Sequence, residues 1–383
     1  MSWVSVKLKD CCEVVGGATP KRDIPKYWAS PDFPWITPKD VSNLDGPILE
    51  DAPEYISEAG YENSATRMLP KGSVLVTSRA PIGNIAIAGR DMCTNQGFKS
   101  LIPGPDVDGL YLYYCMKANS ERLKTLGNGA TFKEVSKKIV EDFEIPLPPL
   151  SEQKRIAAIL DKADAIRRKR QQAIHLTNEF LRAVFLDMFG DPVTNLNGWE
   201  VKKIGDVCGY IVPGRDKPKS FTGSVPWITT SEISHLGVTL KSAQFMGLTE
   251  GEISEVRARV VPKNSVVMTC VGDLGVVSVA GEDMVVNQQL HAFLPSESVV
   301  PAFIMYALSF QKDYMIKMAS NTTVPYMNKT VCNSVPVILP AYSLQKKFGE
   351  LVVRVMGVKA AFTKFSGEPM FEALSKKAFS GQL

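Results

Sequence analysis

Residues 33–44 read FPWITPKDVSNL and residues 225–236 read VPWITTSEISHL, so one chain holds two variants of a single phrase. Trp35 and Trp227 lie 192 residues apart, and the offset continues well beyond the phrase. Residues 69–103 (LPKGSVLVTSRAPIGNIAIAGRDMCTNQGFKSLIP) fall on residues 261–295 (VPKNSVVMTCVGDLGVVSVAGEDMVVNQQLHAFLP), sharing Pro-Lys, Ser-Val, Ala-Gly, Asp-Met and Asn-Gln. Tyr114 falls on Tyr306, and FEIPLPPLSEQKRI at 143–156 meets VPVILPAYSLQKKF at 335–348. Only the extreme start departs, where Trp3 pairs with Trp199. A repeat of this length is far longer than a solenoid unit, so each copy is a domain plus whatever follows it.

Within each copy, short β-rich runs bounded by Gly and Pro (GSVLVTS, NIAIAG, FEIPLP; SVVMTCV, GVVSVAG, VPVILP) predict strands. YLYYCMKANSERLKTL and FIMYALSFQKDYMIKM carry helical apolar spacing between them. Each module is therefore expected to be α+β. After each module comes a long helix. Leu344, Phe348, Leu351, Val355, Val358, Phe362 and Phe365 recur at steps of four and three, the seam of a coiled coil. The matching stripe in the first copy is Ile156, Ile159, Ala163, Ile166, Arg170 and Ala173, continued by Thr177, Phe180 and Val184. Residues 151–189 would make a helix of about 58 Å. Ser151 and Ser343 are candidate N-caps, Gly190-Asp191-Pro192 should end the first helix, and Gly367 and Pro369 should break the second before residues 371–379 resume. Arg170, opposite Phe362 in the repeat, implies a polar layer in the seam. The expected fold is two duplicated mixed α/β modules separated by two long helices forming an antiparallel coiled coil. Its bounds are 1–148 for the first module, 149–190 for the spacer helix, 191–342 for the second module and 343–383 for the C-terminal helix. Packing of each stripe on its own module is the alternative.

The composition excludes several classes of protein. No apolar run approaches the roughly 18 residues of a membrane span, and MSWVSVKLKD lacks a leader's apolar core, so a cytoplasmic location is expected. Seven cysteines show neither CxxC spacing nor disulfide density, which points to reduced, buried thiols. The lone Pro-Pro pair is Leu147-Pro148-Pro149-Leu150, no Gly-Lys pair occurs, and His175, His235 and His291 stand without metal or triad spacing. Glu152-Gln153-Lys154 could end a nuclease motif, but no positioned acid precedes it. No catalytic residue, cofactor or metal is expected.

The order of module, IPLPPLSEQKRI, long helix, FLDMFGDP, second module and terminal AFSGQL resembles the DNA-specificity subunit of type I restriction-modification enzymes over essentially the whole chain. The resemblance implies a non-catalytic subunit in which each module is a target-recognition domain reading one half of a split site in double-stranded DNA. It also implies a coiled coil holding the modules apart, methylation subunits (expected as two) docked on it, and a translocating restriction subunit. An alternative class is a protein-interaction scaffold, which would show no sequence preference on DNA.

Net charge is only +4, and the two helical segments 151–190 and 343–383 carry +3 and +4, leaving −3 for the rest. Phosphate-binding patches must then be local, and Thr19–Arg22, Arg79, Lys99, Lys133–Lys138, Arg215–Lys219 and Lys329 are candidates beside the alternative of solvated surface charge. IRRKRQQ at 166–172 could touch DNA or a partner, or keep the helix soluble. Base readers should lie where the copies differ: TSRAPIG against TCVGDLG, NQGFKS against NQQLHA, and GNGATFKEVSK against SNTTVPYMNK. The DNA-binding candidates are Lys21, Arg22, Arg79, Lys99 and Lys133 in the first module, and Arg215, Lys217, Asp273, Gln289, His291, Tyr326 and Lys329 in the second. Asn95-Gln96 and Asn287-Gln288, identical in both copies, suit a shared turn at least as well as base reading. Trp35 and Trp227 are expected in the core.

Overall fold

The computed structural model describes residues 3–79, 81–127, 133–214, 216–242, 244–320, 322–364 and 367–383. Two compact units emerge, Met1–Gln172 with Phe365–Leu383, and Ala173–Lys364. The opening phrase explains how each begins. Phe33–Ile36 and Val225–Ile228 are strands that bury Trp35 and Trp227, and each runs directly into a capping box. The amide of Thr37 donates to Asp40 at 2.7 Å, and that of Thr229 to Glu232 at 2.8 Å.

Both units repeat one topology. In the first, a five-stranded sheet runs in the order Cys12–Gly16, Lys99–Pro103, Val74–Val76, Ile85–Ala88, Ile48–Leu49. In the second the order is Cys208–Ile211, Leu290–Pro295, Val266–Thr269, Val277–Ala280, Val238–Thr239. The last pair is parallel in each sheet and the others antiparallel. The Trp strand forms a second, three-stranded sheet with Tyr55–Ile56 and Cys93–Thr94, or with Gly247–Leu248 and Val285–Val286. A two-stranded ribbon closes each unit, Ser5–Lys7 with Glu144–Pro146 and Glu200–Lys203 with Pro336–Leu339. The turn before the central strand needs a left-handed residue: Gly72 (φ +88°) fills it in one copy and Asn264 (φ +68°) in the other, the side chain that best tolerates that conformation.

The single helix expected over 111–126 is two, Gly109–Ala118 and Ser120–Thr125. The break comes from Asn119, whose side-chain amide donates to the Cys115 carbonyl at 2.9 Å and ends the first helix. We call Gly109–Ala118 α1. Its counterpart Pro301–Ser309 (α3) precedes Lys312–Met318 in the same way.

The long helix α2 spans Leu150–Phe189 and stops at Gly190, in the left-handed conformation at φ +75°. Tyr342–Lys364 (α4) and Gly367–Phe379 (α5) follow the second module, and Pro369 sits in the first turn of α5, where its missing N–H is harmless. Ser151 and Ser343 are not N-caps, because each helix starts one residue earlier. The Pro149 and Ala341 carbonyls take the first helical bonds. The repeated glutamine of SEQK and SLQK does the anchoring instead. Gln153 is buried, accepts from the Asp108 amide at 2.8 Å and donates to the carbonyls of Pro148 at 2.8 Å and Asp106 at 2.9 Å. Gln345 accepts from Val300 at 3.1 Å and donates to Pro340 at 2.8 Å. Gln153 is thus a structural clamp.

The helices pair antiparallel, but much of the stripe packs on its own module: Ile156 in the first core, and Phe348 with Leu344, Leu351 and Val355 in the second. In the second unit Phe348 of α4 packs between Phe185 and Phe189 of α2, with ring centroids 5.4 and 5.7 Å away, and Lys359 donates to Asn178 at 2.9 Å. In the first unit Arg155 of α2 donates to the carbonyl of Leu383 beyond α5 at 2.8 Å. Ile166, Phe180 and Val358, assigned to the seam, are exposed. Ile156, Ala157 and Leu160 face the first module's core and Leu181, Phe185 and Phe189 the second's, because the modules offer more apolar surface than a second helix does. Arg170 is half buried. Phe365 and the side chain of Phe362, the counterpart of Arg170 in the repeat, lie outside the described residues. The seven cysteines are free and all but Cys11 are buried.

Candidate nucleic-acid interface

The described parts of the three stretches in which the copies differ are brought together in each module on one backbone frame. In the first module the 77–83 loop is tied at its base by Thr77, whose hydroxyl donates to the Pro81 carbonyl at 2.6 Å and accepts from the Asn84 amide at 2.9 Å. Thr269 repeats both bonds, to Asp273 at 2.5 Å and from Val276 at 2.9 Å. The Ser78 amide donates to Gly97 at 2.7 Å and the Val135 amide to Ser78 at 2.9 Å, so the loop sits between the Asn-Gln turn and the 133–135 segment. Cys270 to Gln289 at 2.9 Å and Met327 to Cys270 at 2.8 Å place the second loop identically.

On this frame the side chains diverge. Arg79 bridges Glu134 in the first module, where the second has Val271 opposite Tyr326. The Arg79 Nε lies 2.9 Å and the Lys99 Nζ 3.5 Å from the Glu134 carboxylate. Glu134 is not singled out by the sequence, because only the fold brings it beside Arg79 and Lys99. Lys133 beside it is exposed. In the second module Tyr326 is 45% exposed, Lys312 pairs with Asp273 at 2.7 Å, and Gln289 accepts from the Asn287 side chain at 3.1 Å. Lys217 is exposed and lines a pocket of about 200 Å³ with Asp216, Trp227, Asn287 and Gln288. Lys329 stands 4.7 Å over the Tyr210 ring. Arg215 lies outside the described residues.

The Asn-Gln pairs form a shared structural turn: Asn95 accepts from the Gly97 amide at 2.8 Å and Asn287 from Gln289 at 3.1 Å, while their own amides pair with Ile36 and Ile228, both at 2.9 Å. Thr19 donates to Gln96 and so joins the 17–22 segment to that turn. Lys21 in this segment is exposed. Arg22 is committed elsewhere: its guanidinium lies 3.8 Å from the Trp28 ring centroid and 4.8 Å from that of Trp35, and it forks onto the Glu54 carboxylate. Stacked and neutralised, it holds the loop and is no free phosphate contact.

His291 is the clear correction. It occupies the position of Lys99 in the repeat, yet it is 2% exposed with Nε2 3.0 Å from the Asn333 side-chain oxygen, so it cannot reach a base. Burial lowers its pKa to about 4 from 6.5. The unfolded chain takes up the proton first, so the neutral ring's stability is intact above pH 6.5 and lost as pH falls toward 4. We expect the second unit to lose about 2–3 kcal/mol over that window, read by denaturant titration at several pH values. His291→Gln, which has no proton to gain, should flatten the dependence; an unchanged slope would remove His291 as its source.

Among the described residues no cluster of His, Cys, Asp and Glu could hold a metal, and no helix is long and apolar enough to cross a membrane. A family model described as the type I restriction modification DNA specificity domain matches residues 1–176 and 197–357. The type I restriction enzyme MjaIX specificity subunit of Methanocaldococcus jannaschii is 31% identical, with 91% of this chain and 86% of that one covered. The EcoR124I/EcoR124II specificity subunit of Escherichia coli is 27% identical over 39% of this chain and 38% of its own. The crystal structure of the type I restriction-modification S subunit from M. genitalium superposes with a TM-score of 0.61 at 16% identity, covering 99% of this chain and 96% of that one, which speaks for the fold. With the family model matching both copies, the chain belongs to the type I restriction-modification DNA-specificity family.

Proposed function

We propose that this chain directs a type I restriction-modification complex to a split target in double-stranded DNA, each module reading one half-site and the helices spacing and joining them. One observation carries the reading: divergent side chains converge on an identical hydrogen-bonded frame in each module. Duplicated frames keep the same approach to DNA, and different side chains on them select different bases. The working bounds remain 1–148 and 191–342 for the readers and 149–190 and 343–383 for the spacer helices. Two readers on one face of a duplex must stand about 34 Å apart or a multiple, a distance that helices of this length can set. The subunit itself is non-catalytic, with methylation subunits and a translocating restriction subunit as partners. Exposed Lys21, Lys133, Lys217 and Lys329 supply phosphate contacts.

The test is single-molecule methylation mapping of a host genome, with the gene intact and with residues 195–340 replaced by another recognition module. A split adenine-methylated motif in which only one half changes is expected. A motif independent of this chain would leave a protein-interaction scaffold as the reading to pursue.

A further inference from the structure

The bridge between the 77–83 loop and the 133–135 segment differs in kind between the copies: Arg79 faces Glu134 in the first, Val271 faces Tyr326 in the second. Both side chains of the charged pair reach solvent, at 47% and 35% exposure, with the Arg79 Nε 2.9 Å from the carboxylate. Lys99, only 14% exposed, approaches the other carboxylate oxygen to 3.5 Å from the neighbouring strand. The backbone frame does not need this pair, because the second copy builds the same frame without it. Nor does an exposed ion pair contribute much to stability. A held Arg79–Glu134 pair that the shared backbone frame does not require, on the surface where the copies diverge, points to recognition.

Their chemistry matches one base pair. In the major groove guanine presents N7 and O6, both acceptors, and its cytosine presents the N4 amino donor. A guanidinium satisfies the first pair of atoms with two parallel bonds, and an adjacent carboxylate, which can only accept, satisfies the third. An A·T pair puts the thymine O4 acceptor and methyl where the carboxylate would need a donor, so the same pair of side chains rejects it. The ion pair also orients Arg79 before DNA arrives, reducing the ordering cost of binding.

We propose that Arg79 and Glu134 together read one G·C base pair in the first module's half-site, with Lys99 as the positioning residue that holds the carboxylate. The proposal rests on the chain's reading as a DNA-specificity subunit.

The experiment is methylation mapping of cells carrying the complete enzyme with wild-type chain, Glu134→Gln, Lys99→Met or the double exchange Arg79→Val with Glu134→Tyr, which installs the second module's residues. The half-site retained after replacement of residues 195–340 belongs to the first module and should contain a fixed G·C pair. Glu134→Gln should admit other bases at that one position, with preference falling roughly tenfold or more, and leave the other half-site unchanged. Lys99→Met should relax the same position to a smaller degree, and the double exchange should abolish the G·C requirement. A first half-site without a fixed G·C pair, or an unaltered motif in Glu134→Gln, overturns the proposal while the split-site reading stands. If no split motif depends on the chain, that reading and the proposal fall together. Should the double exchange lose all methylation, the near-isosteric Glu134→Gln decides alone.

Discussion

Replacing Asp164 with alanine is expected to destabilise the first unit by about 3–5 kcal/mol. The carboxylate of Asp164 is fully buried at the point where α2 meets α1. Three cations surround it: Arg167 at 2.9 Å and Arg168 at 3.2 Å from the next turn of α2, and Lys117 of α1 at 3.5 Å. Burial already lowers the pKa of Lys117, so the ammonium is held charged against a desolvation cost that Asp164 offsets. Removing the acid leaves three partly buried positive charges facing one another, the costly half of a broken ion-pair network. One turn earlier the Tyr114 hydroxyl donates to Asp161 at 3.0 Å, so the damage should stay local to this helix–module contact. For a unit of this size the loss corresponds to a fall in Tm on the order of 10 °C, read by calorimetry as a shift in one unit's transition. A shift of a degree or two would mean that water already solvates the cluster. The counterpart of Asp164 in the repeat is Met356, so no equivalent effect is expected in the second unit.

Phe348→Ala should cost the second unit a similar amount, about 3–5 kcal/mol. The ring is fully buried, with Phe185 at 5.4 Å, Phe189 at 5.7 Å and Tyr306 at 5.2 Å between centroids, all three edge to face. Its loss opens a cavity walled by rigid aromatic side chains that cannot collapse into it. It also removes the contact by which α2 and α4 register against each other. Phe348→Leu should restore more than half of the loss, because it refills volume without the quadrupolar contacts. Calorimetry should show only the second unit's transition moving; equal shifts in both transitions would mean that the units unfold as one.

Much of this arrangement is legible in the chain, for reasons that can be named residue by residue. The duplication needs only the offset between Trp35 and Trp227, and the two Trp strands with their capping boxes follow from residues within four positions of one another. The helix after SEQK is continuous because nothing between Leu150 and Phe189 interrupts it. The candidate site was legible only as three places where the copies differ. Arg79 and Lys99 were found as isolated cations, whereas Glu134, which joins them, was not. Arg22 and His291 carried the residue types of a DNA surface and proved to be a loop clamp and a buried ring.

Period, repeat and cap are written into neighbouring residues, so the α+β modules, the long helices and the family resemblance could be read before any coordinates. Register and burial depend on residues 20 to 200 positions away, and only tertiary pairing decides them. The same 192-residue correspondence puts Lys99 at a carboxylate and buries His291 against Asn333, because what surrounds a position is set by elements that meet across the fold. The helix seam shows the same physics: of the expected stripe Ile156 and Phe348 are buried, whereas Ile166, Phe180 and Val358 are left exposed, and Phe185 and Phe189, outside the stripe, are buried because each module's core offered a larger apolar surface than the opposing helix.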